Sequence, residues 1–466
     1  MSYSHTLTSV DETVRPQAVE PVSRAAAELP PLIWPESAEF DVVRQAWNLH
    51  SDQRPACVCV ATRVEHVQAA VAFARANGLR VAAQTTGHLS QTLPSLERTL
   101  LLKLRLHDDD VIVDPVARVA RIKAGARWGD VVDAVTPYGL AAMHGSSPTV
   151  GVIGYLLGGG LSFYGRRHGL AVNHVRAFEV ITADGVARRV DADHNRDLFY
   201  ALRGGGGGYA VVTAVELGLL PYAEVTGGAM FFAADDVRRL LRTWRDFCQD
   251  APDTITTTFR LLRLPPLAEV PEPLRAVPTV CIDGVALRDA DAVRLEQRLR
   301  GTAEPILGGF GKLPSAAVAR LHGDPEDPVP AIGDGILLRK LDDWASELFV
   351  RTAQDGPLLA AELRHLGGAL ATAPAGAGAR GHLEGRFLLF GVGIPGAPAP
   401  AADLHSYLDR YLGALAPWAT GTRFMSFAER TSSLETCVAD PVLARLARIR
   451  TAADPDGLLL ASHLPA

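Results

Sequence analysis

Four stretches of the sequence carry residues that could do chemistry. In QTTGHLSQ (84–91), His88 sits in a tight turn directly after a short apolar run. HGSSPTVGVIGYLLGGGLSFYGRRHGL (144–170) and RGGGGGYAVV (203–212) are glycine clusters, and LLAAELRHLGG (358–368) places Glu362 and His365 in an apolar stretch. From the residues alone, His88 could be a turn residue, a metal ligand, a base or a group that bonds to a cofactor.

The two glycine clusters favour an extended, phosphate-bearing ligand. Glycines let a backbone approach a ligand closely and aim several N–H groups at an anion. Neither cluster has the strand–G-x-G-x-x-G–helix context of a Rossmann fingerprint, and no Gly-Lys-Ser/Thr follows as in a Walker loop. Unrelated flexible loops are the alternative, but two such clusters and the His88 turn in one half of the chain favour a cofactor.

Other catalytic and metal sites are not indicated. The sequence has no G-x-S-x-G nucleophile elbow and no H-E-x-x-H motif. His144, His168 and His174 are too irregularly spaced for a metal set, and Cys57-Val58-Cys59 lacks the spacing of a zinc knuckle. The five cysteines are scattered and odd in number, which predicts reduced thiols, no metal site and a cytoplasmic protein.

Composition is that of an ordinary globular enzyme. The chain has 466 residues, 48% of them hydrophobic and 21% charged, with a formal net charge of −6. This balance gives no support to nucleic-acid or membrane binding. No apolar run is long enough for a membrane span, and MSYSHTLTSVDETVRP (1–16) does not have the pattern of a secretory signal. Whether the protein is a monomer or a homodimer stays open.

The elements around His88 are predicted to form a βαβ unit. Cys57 to Val60 indicate a strand, Thr62 with Glu65 indicates a capping box, and a helix ends at Gly78. Leu79 to Ala83 form the second strand, and the His88 turn follows it. In open α/β sheets that edge is where ligands bind.

The pattern changes after about residue 222, where long amphipathic helices alternate with strand candidates such as GRFLLFGVGI (385–394). We expect a leader and the start of the first domain over 1–53, a cofactor-binding α/β domain over 54–221, a substrate-binding α+β domain over 222–417, and a segment over 418–466 that returns to the first domain.

Taken in order, VAAQTTGHLSQ, the cluster at 144–170 with NHV after it, VITADG and DLFYALRGGGGGYAVVT resemble a known FAD-binding domain. The chain resembles the berberine-bridge-enzyme-like FAD-linked oxidases of the vanillyl-alcohol-oxidase (PCMH-type) superfamily, in their actinobacterial tailoring branch. The implied fold is α+β, with a two-part FAD-binding domain of α/β lobes and a substrate domain built on an antiparallel sheet.

The resemblance also implies the cofactor and its contacts. His88 falls on the histidine that is bonded to the flavin 8α-methyl carbon, so FAD is expected to be covalently attached. The other residues expected to contact FAD are Gln84, Thr85, Thr86, Gly87, Leu89, Ser90, Ser146, Ser147, Gly151, Gly154, Tyr155, Gly158, Gly159, Gly160, His168, Gly169, Val172, Asn173, Gly208, Ala210, Val212, Ser462 and His463.

Some positions depart from the family pattern. Many members carry a second flavin-linked cysteine, and GLAVNHV (169–175) is expected to place Val172 at that position, so attachment would be through His88 alone. Ser462 and His463 stand where the family often has an Asn-Gln pair near the flavin ring.

The implied reaction is hydride transfer from substrate carbon to FAD, a proton taken by a base, and reoxidation of the flavin by O2. Glu362, His365 and Tyr155 are the candidate catalytic residues, with Glu384 a weaker one. Burial should raise the pKa of Glu362, unless LLAAELRH is a solvated helix face. The expected substrate is a medium-sized secondary metabolite of polyketide, glycoside or alkaloid type. A flavin-dependent oxygenase and a non-catalytic flavin-fold binding protein remain the alternatives.

Overall fold

The computed structural model describes residues 28–106, 110–396 and 399–463. The segment 1–16, in which no secretory signal is predicted, and half of the expected leader lie outside these residues.

The described residues form three β-sheets connected by helices. In chain order the strands are β1 (Cys57–Ala61), β2 (Arg80–Gln84), β3 (Thr99–Leu104), β4 (Val111–Asp114), β5 (Val119–Lys123), β6 (Val175–Ile181), β7 (Ala187–Asp191), β8 (Val211–Gly218), β9 (Glu224–Ala233), β10 (Ile255–Arg263), β11 (Pro278–Ala286), β12 (Leu307–Pro314), β13 (Ile332–Leu338), β14 (Ala360–His365), β15 (Phe387–Gly393) and β16 (Leu459–Leu460). The α-helices are α1 (Phe40–Val43), α2 (Val64–Ala76), α3 (Trp128–Val135), α4 (Val152–Leu157), α5 (Gly165–His168), α6 (Arg196–Leu202), α7 (Val237–Asp250), α8 (Asp289–Arg300), α9 (Asp343–Gln354), α10 (Ala401–Leu415) and α11 (Asp440–Ala453).

The first sheet is parallel, in the order β1-β3-β2-β16, and contains the predicted βαβ unit β1–α2–β2. Helix α2 begins at Val64 with Arg63 as its N-cap, so the capping box predicted at Thr62 is wrong. The Thr62 amide instead donates to Nδ1 of His66, at 3.3 Å. His88 follows the carboxyl end of β2, and β16 brings the C-terminal segment to that same strand.

The second sheet is antiparallel, in the order β4-β5-β8-β6-β7. A hairpin with Asp184-Gly185 in its turn joins β6 to β7. The five-glycine loop connects α6 to β8, so one of its ends is fixed by a helix and the other by a central strand. The side chains of the first two sheets share one apolar core.

The third sheet has seven antiparallel strands, in the order β12-β9-β11-β10-β14-β15-β13. Helices α7, α8, α9 and α10 cover one face of it and bury a second apolar core. Alternation along β10 puts Phe259 and Leu261 into that core, while Arg260 points to the opposite, open face. The α+β class and the antiparallel sheet expected in the second half of the chain are therefore confirmed.

LLAAELRH (358–365) contains strand β14 (Ala360–His365), so the alternative of a solvated helix face is wrong. The difference between a helix and a strand decides which of these side chains share a face. On a helix, Glu362 and His365 would share a face, but on a strand residues three apart point to opposite faces. Ala361 and Leu363 belong to the helix-covered core, which leaves Glu362 and Arg364 on the open face.

Candidate active site

A cavity of about 740 Å³ lies where the three sheets meet. Its walls come from the turn after β2, the glycine cluster at 145–158, the five-glycine loop, the tail after β16 and the open face of the third sheet. The residues expected to contact FAD that line it are Gln84, Thr85, Thr86, Gly87, His88, Leu89, Ser90, Ser146, Ser147, Gly151, Gly154, Tyr155, Gly158, Gly208, Ala210, Val212, Ser462 and His463.

His88 is held by contacts on three sides. Its Nδ1 shares a 2.8 Å hydrogen bond with Oγ1 of Thr86, and its Nε2 lies 3.4 Å from Oγ1 of Thr149. The indole of Trp47 stacks on the imidazole at 4.0 Å. Burial, with a smaller contribution from the charge of Arg127, lowers the pKa of His88 to about 3. The imidazole is therefore neutral at physiological pH and keeps a lone pair on one nitrogen.

The turn that carries His88 depends on Gly87. This residue has φ +84°, and a Cβ placed there would lie 2.8 Å from Cβ of Ala46. A side chain at this position would therefore combine backbone strain with a clash. The glycine fixes the turn so that the imidazole faces the cavity.

Backbone N–H groups at the cavity are free to bind an anion. In the part of the chain that the structure describes, the amides of Thr86, Gly87 and His88 donate no hydrogen bond, and neither do those of Gly207 and Gly208. Unpaired amides of this kind are the groups that hold phosphate oxygens in glycine-rich loops. The two loops therefore offer the donor set expected for a pyrophosphate.

Tyr155 lines the cavity, but its hydroxyl group is already used. It donates to the carbonyl of Met143 at 3.1 Å, and its ring packs edge-on against Trp128. A Cβ at Gly160 would lie 2.3 Å from the Tyr155 ring, so only glycine fits behind it. Burial raises the pKa of Tyr155 well above its usual value. These contacts make it a wall of the cavity rather than a base.

Six of the residues expected to contact FAD do not line the cavity: Gly159, Gly160, His168, Gly169, Val172 and Asn173. His168 pairs through Nε2 with the hydroxyl of Tyr222 at 2.9 Å, and Asn173 donates to the carbonyl of Gly381. Val172 is fully buried in the shared apolar core. The structure places these six residues outside the cavity wall, and their contact with FAD stays a prediction.

Val172 and the five cysteines bear on whether a flavin could carry a second link. The Val172 side chain is fully buried and does not line the cavity, and its correspondence to the flavin-linked cysteine of the family stays a prediction. All five cysteines are free, buried thiols, and none of them is among the residues that line the cavity. The described residues therefore place no thiol at the cavity wall.

The C-terminal tail closes one end of the cavity. Ser462 accepts a 2.7 Å hydrogen bond from Thr92, and Nδ1 of His463 lies 3.0 Å from the hydroxyl of Ser432. Within the described chain, His463 Nε2, Ser90 Oγ and the Oγ of Ser426, also a lining residue, are buried polar atoms without a partner. Such atoms at a cavity wall are expected to pair with a bound polar group.

Glu362 lies in a network of buried charges on the open face of the third sheet. Arg364 forms an ion pair with it, and Nε2 of His322 lies 3.5 Å from its Oε2. His322 also binds Asp283 at 2.9 Å, and Asp283 pairs with Arg260 at 2.6 Å. Burial opposes ionisation of Glu362, but Arg364 and His322 outweigh it and lower the pKa to about 2. The expected upward shift is wrong, because the flanking cations hold the carboxylate ionised.

His365 and Glu384 are not among the cavity-lining residues. His365 lies on the helix-covered side of β14, where its Nε2 is 2.9 Å from Arg166 and its ring stacks on Phe387. Glu384 is exposed on the loop before β15. The catalytic assignment of His365 is corrected because the strand directs its ring away from the cavity.

Trp47, His322 and Glu429 are among the cavity residues that were missed from the sequence. Each lies in an irregular segment without periodicity or a motif. Glu429 is notable because burial, with further contributions from Asp334 and Asp324, raises the pKa of its carboxyl to about 8. No sequence signal could have indicated it, since these carboxylates belong to distant parts of the chain.

Over the described residues, no group of three or more His, Cys, Asp or Glu side chains could hold a metal ion. In the same residues, no helix is both long and apolar enough to cross a membrane.

The comparisons with known proteins agree with this geometry. Residues 55–191 match the FAD binding domain family. The chain is 32% identical over 198 residues to (R)-6-hydroxynicotine oxidase from Paenarthrobacter nicotinovorans, covering 42% of this chain and 43% of that protein. It is 30% identical over 218 residues to an FAD-dependent monooxygenase from Penicillium roqueforti, covering 46% and 42%. These matches span less than half the length of the curated relatives.

Solved structures match nearly the whole chain at low identity. BBE-like 1 from Physcomitrella patens superposes with a TM-score of 0.80 at 19% identity, covering 92% of this chain and 95% of that one. Glucooligosaccharide oxidase from Acremonium strictum, described with 6-S-cysteinyl, 8α-N1-histidyl FAD, superposes with a TM-score of 0.77 at 21% identity, covering 94% and 97%. Residues 55–191 therefore match an FAD binding domain, and the chain has the fold of BBE-like 1 and of glucooligosaccharide oxidase.

Proposed function

We propose that the protein is an FAD-dependent oxidase of a medium-sized secondary metabolite, with FAD attached covalently through His88 alone and O2 as electron acceptor. The observation that carries the proposal is the neutral imidazole of His88, which faces the cavity between two loops with unpaired backbone amides. Five buried, unpaired thiols are consistent with a reducing compartment such as the cytoplasm.

The residues present fit FAD. The unpaired amides of Gly87 and Gly208 can donate hydrogen bonds to the pyrophosphate. The hydroxyl oxygens of Ser90 and Ser426 and Nε2 of His463, which have no hydrogen-bond partner, can pair with polar groups of the cofactor. His88 can form a bond to carbon because burial keeps its imidazole unprotonated. No cysteine lines the described cavity, which supports a single link.

When bound, FAD supplies a hydride acceptor that returns its electrons to O2. The chain supplies the surroundings of the substrate. Leu262, Val392 and Ile394 form an apolar wall on the third sheet, next to the charged pair Glu362–Arg364. The fixed carboxylate of Glu362 can accept a hydrogen bond from a substrate O–H or N–H group and so orient it. This mixed lining suits a polyketide, glycoside or alkaloid with a largely apolar body.

Acid precipitation of the purified protein tests the covalent link. We expect a yellow, fluorescent pellet from the wild type and a colourless pellet from His88→Ala. His168→Ala is the matched control, because His168 does not line the cavity, and its pellet should stay yellow. A colourless wild-type pellet with the flavin in the supernatant would contradict the link.

Anaerobic mixing with a panel that includes 6-hydroxynicotine and xylobiose tests the oxidase activity. A true substrate should bleach the flavin, and admission of O2 should restore the colour with one peroxide formed per substrate oxidised. If no compound bleaches the flavin, a non-catalytic binding protein becomes the better description.

A flavin-dependent oxygenase is the second candidate, because the chain resembles an FAD-dependent monooxygenase over 218 residues. Labelled O2 separates the two functions. Label recovered in the product would favour the oxygenase, and stoichiometric peroxide without labelled product would favour the oxidase.

A further inference from the structure

Two carboxyl groups in the cavity have opposite surroundings. Glu362 is flanked by cations, with Arg364 donating to its Oε2 at 3.3 Å and His322 at 3.5 Å. Glu429, on the segment between α10 and α11, has no ion pair or hydrogen bond within the described chain. Paired carboxyls with environments that push their pKa values apart are the arrangement by which sites divide acid and base roles.

The position of Glu429 is fixed by its neighbours. A Cβ at Gly333 would lie 2.6 Å from its Oε2, so the carboxyl packs directly against β13. The preceding Phe427 packs edge-on against Phe390 of β15 and lies under the guanidinium of Arg364, 4.9 Å from ring centroid to Cζ. These contacts direct the segment against the open face of the third sheet, and the accessible part of Glu429 faces the cavity.

The charged groups around Glu429 do not neutralise it. Asp334, on β13, is already paired with Arg423 and with Arg430. Asp324 accepts a hydrogen bond from Ser146 at 2.9 Å and adds a second negative charge nearby.

The remaining titratable groups that face this region are committed elsewhere. His463, on the tail, is paired with Ser432 and stays neutral because burial lowers its pKa. Arg364 is occupied by Glu362. The carboxyl of Glu429 therefore meets two carboxylates, from β13 and from the loop before it, and no unpaired cation among the described residues.

We propose that Glu429 is the general base of this site: the cavity carboxyl that takes the proton from the substrate while Glu362 stays a fixed anion. The proposal rests on the oxidase function proposed above. A group without a stabilising partner gains most from accepting a proton, whereas Glu362 would have to give up its ion pair with Arg364.

The step balances as an ordinary two-electron oxidation. The substrate carbon loses a hydrogen with its electron pair as hydride to FAD, and the adjacent O–H or N–H bond breaks. Its proton goes to the carboxylate of Glu429, and its electron pair forms the new C=O or C=N bond. Release of this proton to solvent returns Glu429 to its starting state.

The pH dependence has a definite sign. Glu429 is protonated below its pKa of about 8 and competent as a base above it. Flavin reduction in the wild type should therefore rise about tenfold per pH unit below that value and level off above it. Glu362, which is ionised throughout this range, contributes nothing to the rise.

Infrared difference spectra of the flavin-loaded protein, taken between about pH 6 and about pH 10, measure the protonated carboxyl directly. We expect a protonated-carboxyl band that disappears on passing about pH 8 in the wild type and is absent from Glu429→Gln. Glu384→Gln is the matched control, because Glu384 is exposed away from the cavity, and it should keep the band.

Stopped-flow reduction by the panel compound that bleaches the flavin gives the second measurement. At high pH, Glu429→Gln should reduce the flavin at least about tenfold more slowly than the wild type, and its rate should no longer rise with pH. Glu429→Asp should recover the rise of the rate with pH, which is called the rising limb below. Yellow acid pellets from both variants show that the cofactor is still attached.

The outcomes separate the two proposals. A missing infrared band, or a rising limb unchanged in Glu429→Gln, would overturn the role of Glu429 while leaving the oxidase intact. Failure of every compound to bleach a bound flavin would count against the oxidase function itself, and the proposal for Glu429 would fail with it.

Discussion

The indole of Trp47 lies nearly parallel to the imidazole of His88, with ring centroids 4.0 Å apart and planes inclined by 13°. The backbone amide of Trp47 also donates to the carbonyl of Thr86 at 2.8 Å. The segment before β1 therefore fixes both the turn and the ring that it carries. This contact covers one face of His88, and Thr86 fixes its rotation through Nδ1.

Replacing Trp47 should slow attachment of the flavin. In Trp47→Ala the imidazole loses its stacked cover, so it becomes hydrated and adopts more than one orientation, and a near-attack geometry is populated less. We expect the fraction of flavin retained in the acid pellet to fall severalfold, with unattached FAD in the supernatant. Trp47→Phe keeps an aromatic face and should retain most of the link. Equal retention in both variants would show that stacking is unimportant.

Much of this site could be predicted from local patterns, because a strand, a turn and a glycine cluster each depend on neighbouring residues. The His88 turn and the five-glycine loop could be predicted for that reason, and both line the cavity. Trp47 could not be predicted, since its contact with His88 arises only when an irregular segment folds back across the end of β2. Glu429 is similar, because the carboxylates that surround it come from distant parts of the chain.

The errors have particular physical causes. A short apolar run does not distinguish a strand from a helix, and the choice decides whether Glu362 and His365 share a face. Motif order alone also does not say which side of a glycine cluster faces a ligand. Val172 lies in the core behind the loop, whereas Ser147 of the same cluster lines the cavity.

The buried position of Val172 predicts that a cysteine there will not bond to the flavin. In Val172→Cys the thiol would lie in the shared apolar core, away from the cavity, and burial would keep it protonated and unreactive. The absorption spectrum of the flavin in the acid pellet should match that of the wild type. A spectrum altered by a second link, removable with Val172→Ser, would show that this segment reaches the cofactor.

The opposite faces of β14 predict different outcomes for replacing Glu362 and for replacing His365. Glu362→Gln removes the fixed anion of the cavity and should lower kcat/KM for flavin reduction by about 10- to 100-fold, the usual loss for a charged hydrogen bond. His365→Gln should lower the unfolding midpoint, because it disturbs the buried contact with Arg166, while changing kcat/KM less than about twofold. Rapid-mixing kinetics and thermal unfolding of both variants test this. A larger kinetic loss in His365→Gln would contradict the observed strand orientation.

The buried neutral state of His88 predicts how acid affects the flavin-free protein. Its pKa is about 3 in the folded state and about 6.5 when unfolded, so the unfolded chain binds the extra proton. The resulting loss of stability begins as the pH falls below about 6.5 and grows until about pH 3. Over that range it reaches about 2–4 kcal/mol.

His88→Gln cannot take up this proton, so it should lose less stability than the wild type on acidification. Urea unfolding of both flavin-free proteins at about pH 7 and about pH 5 measures the difference, and most of the acid-dependent part should be absent from the variant. His194→Gln is the control, because that imidazole is exposed and paired with Asp191. Equal acid sensitivity in the wild type and in His88→Gln would mean that His88 is hydrated, and an imidazole that readily takes a proton would be a poor nucleophile for the flavin.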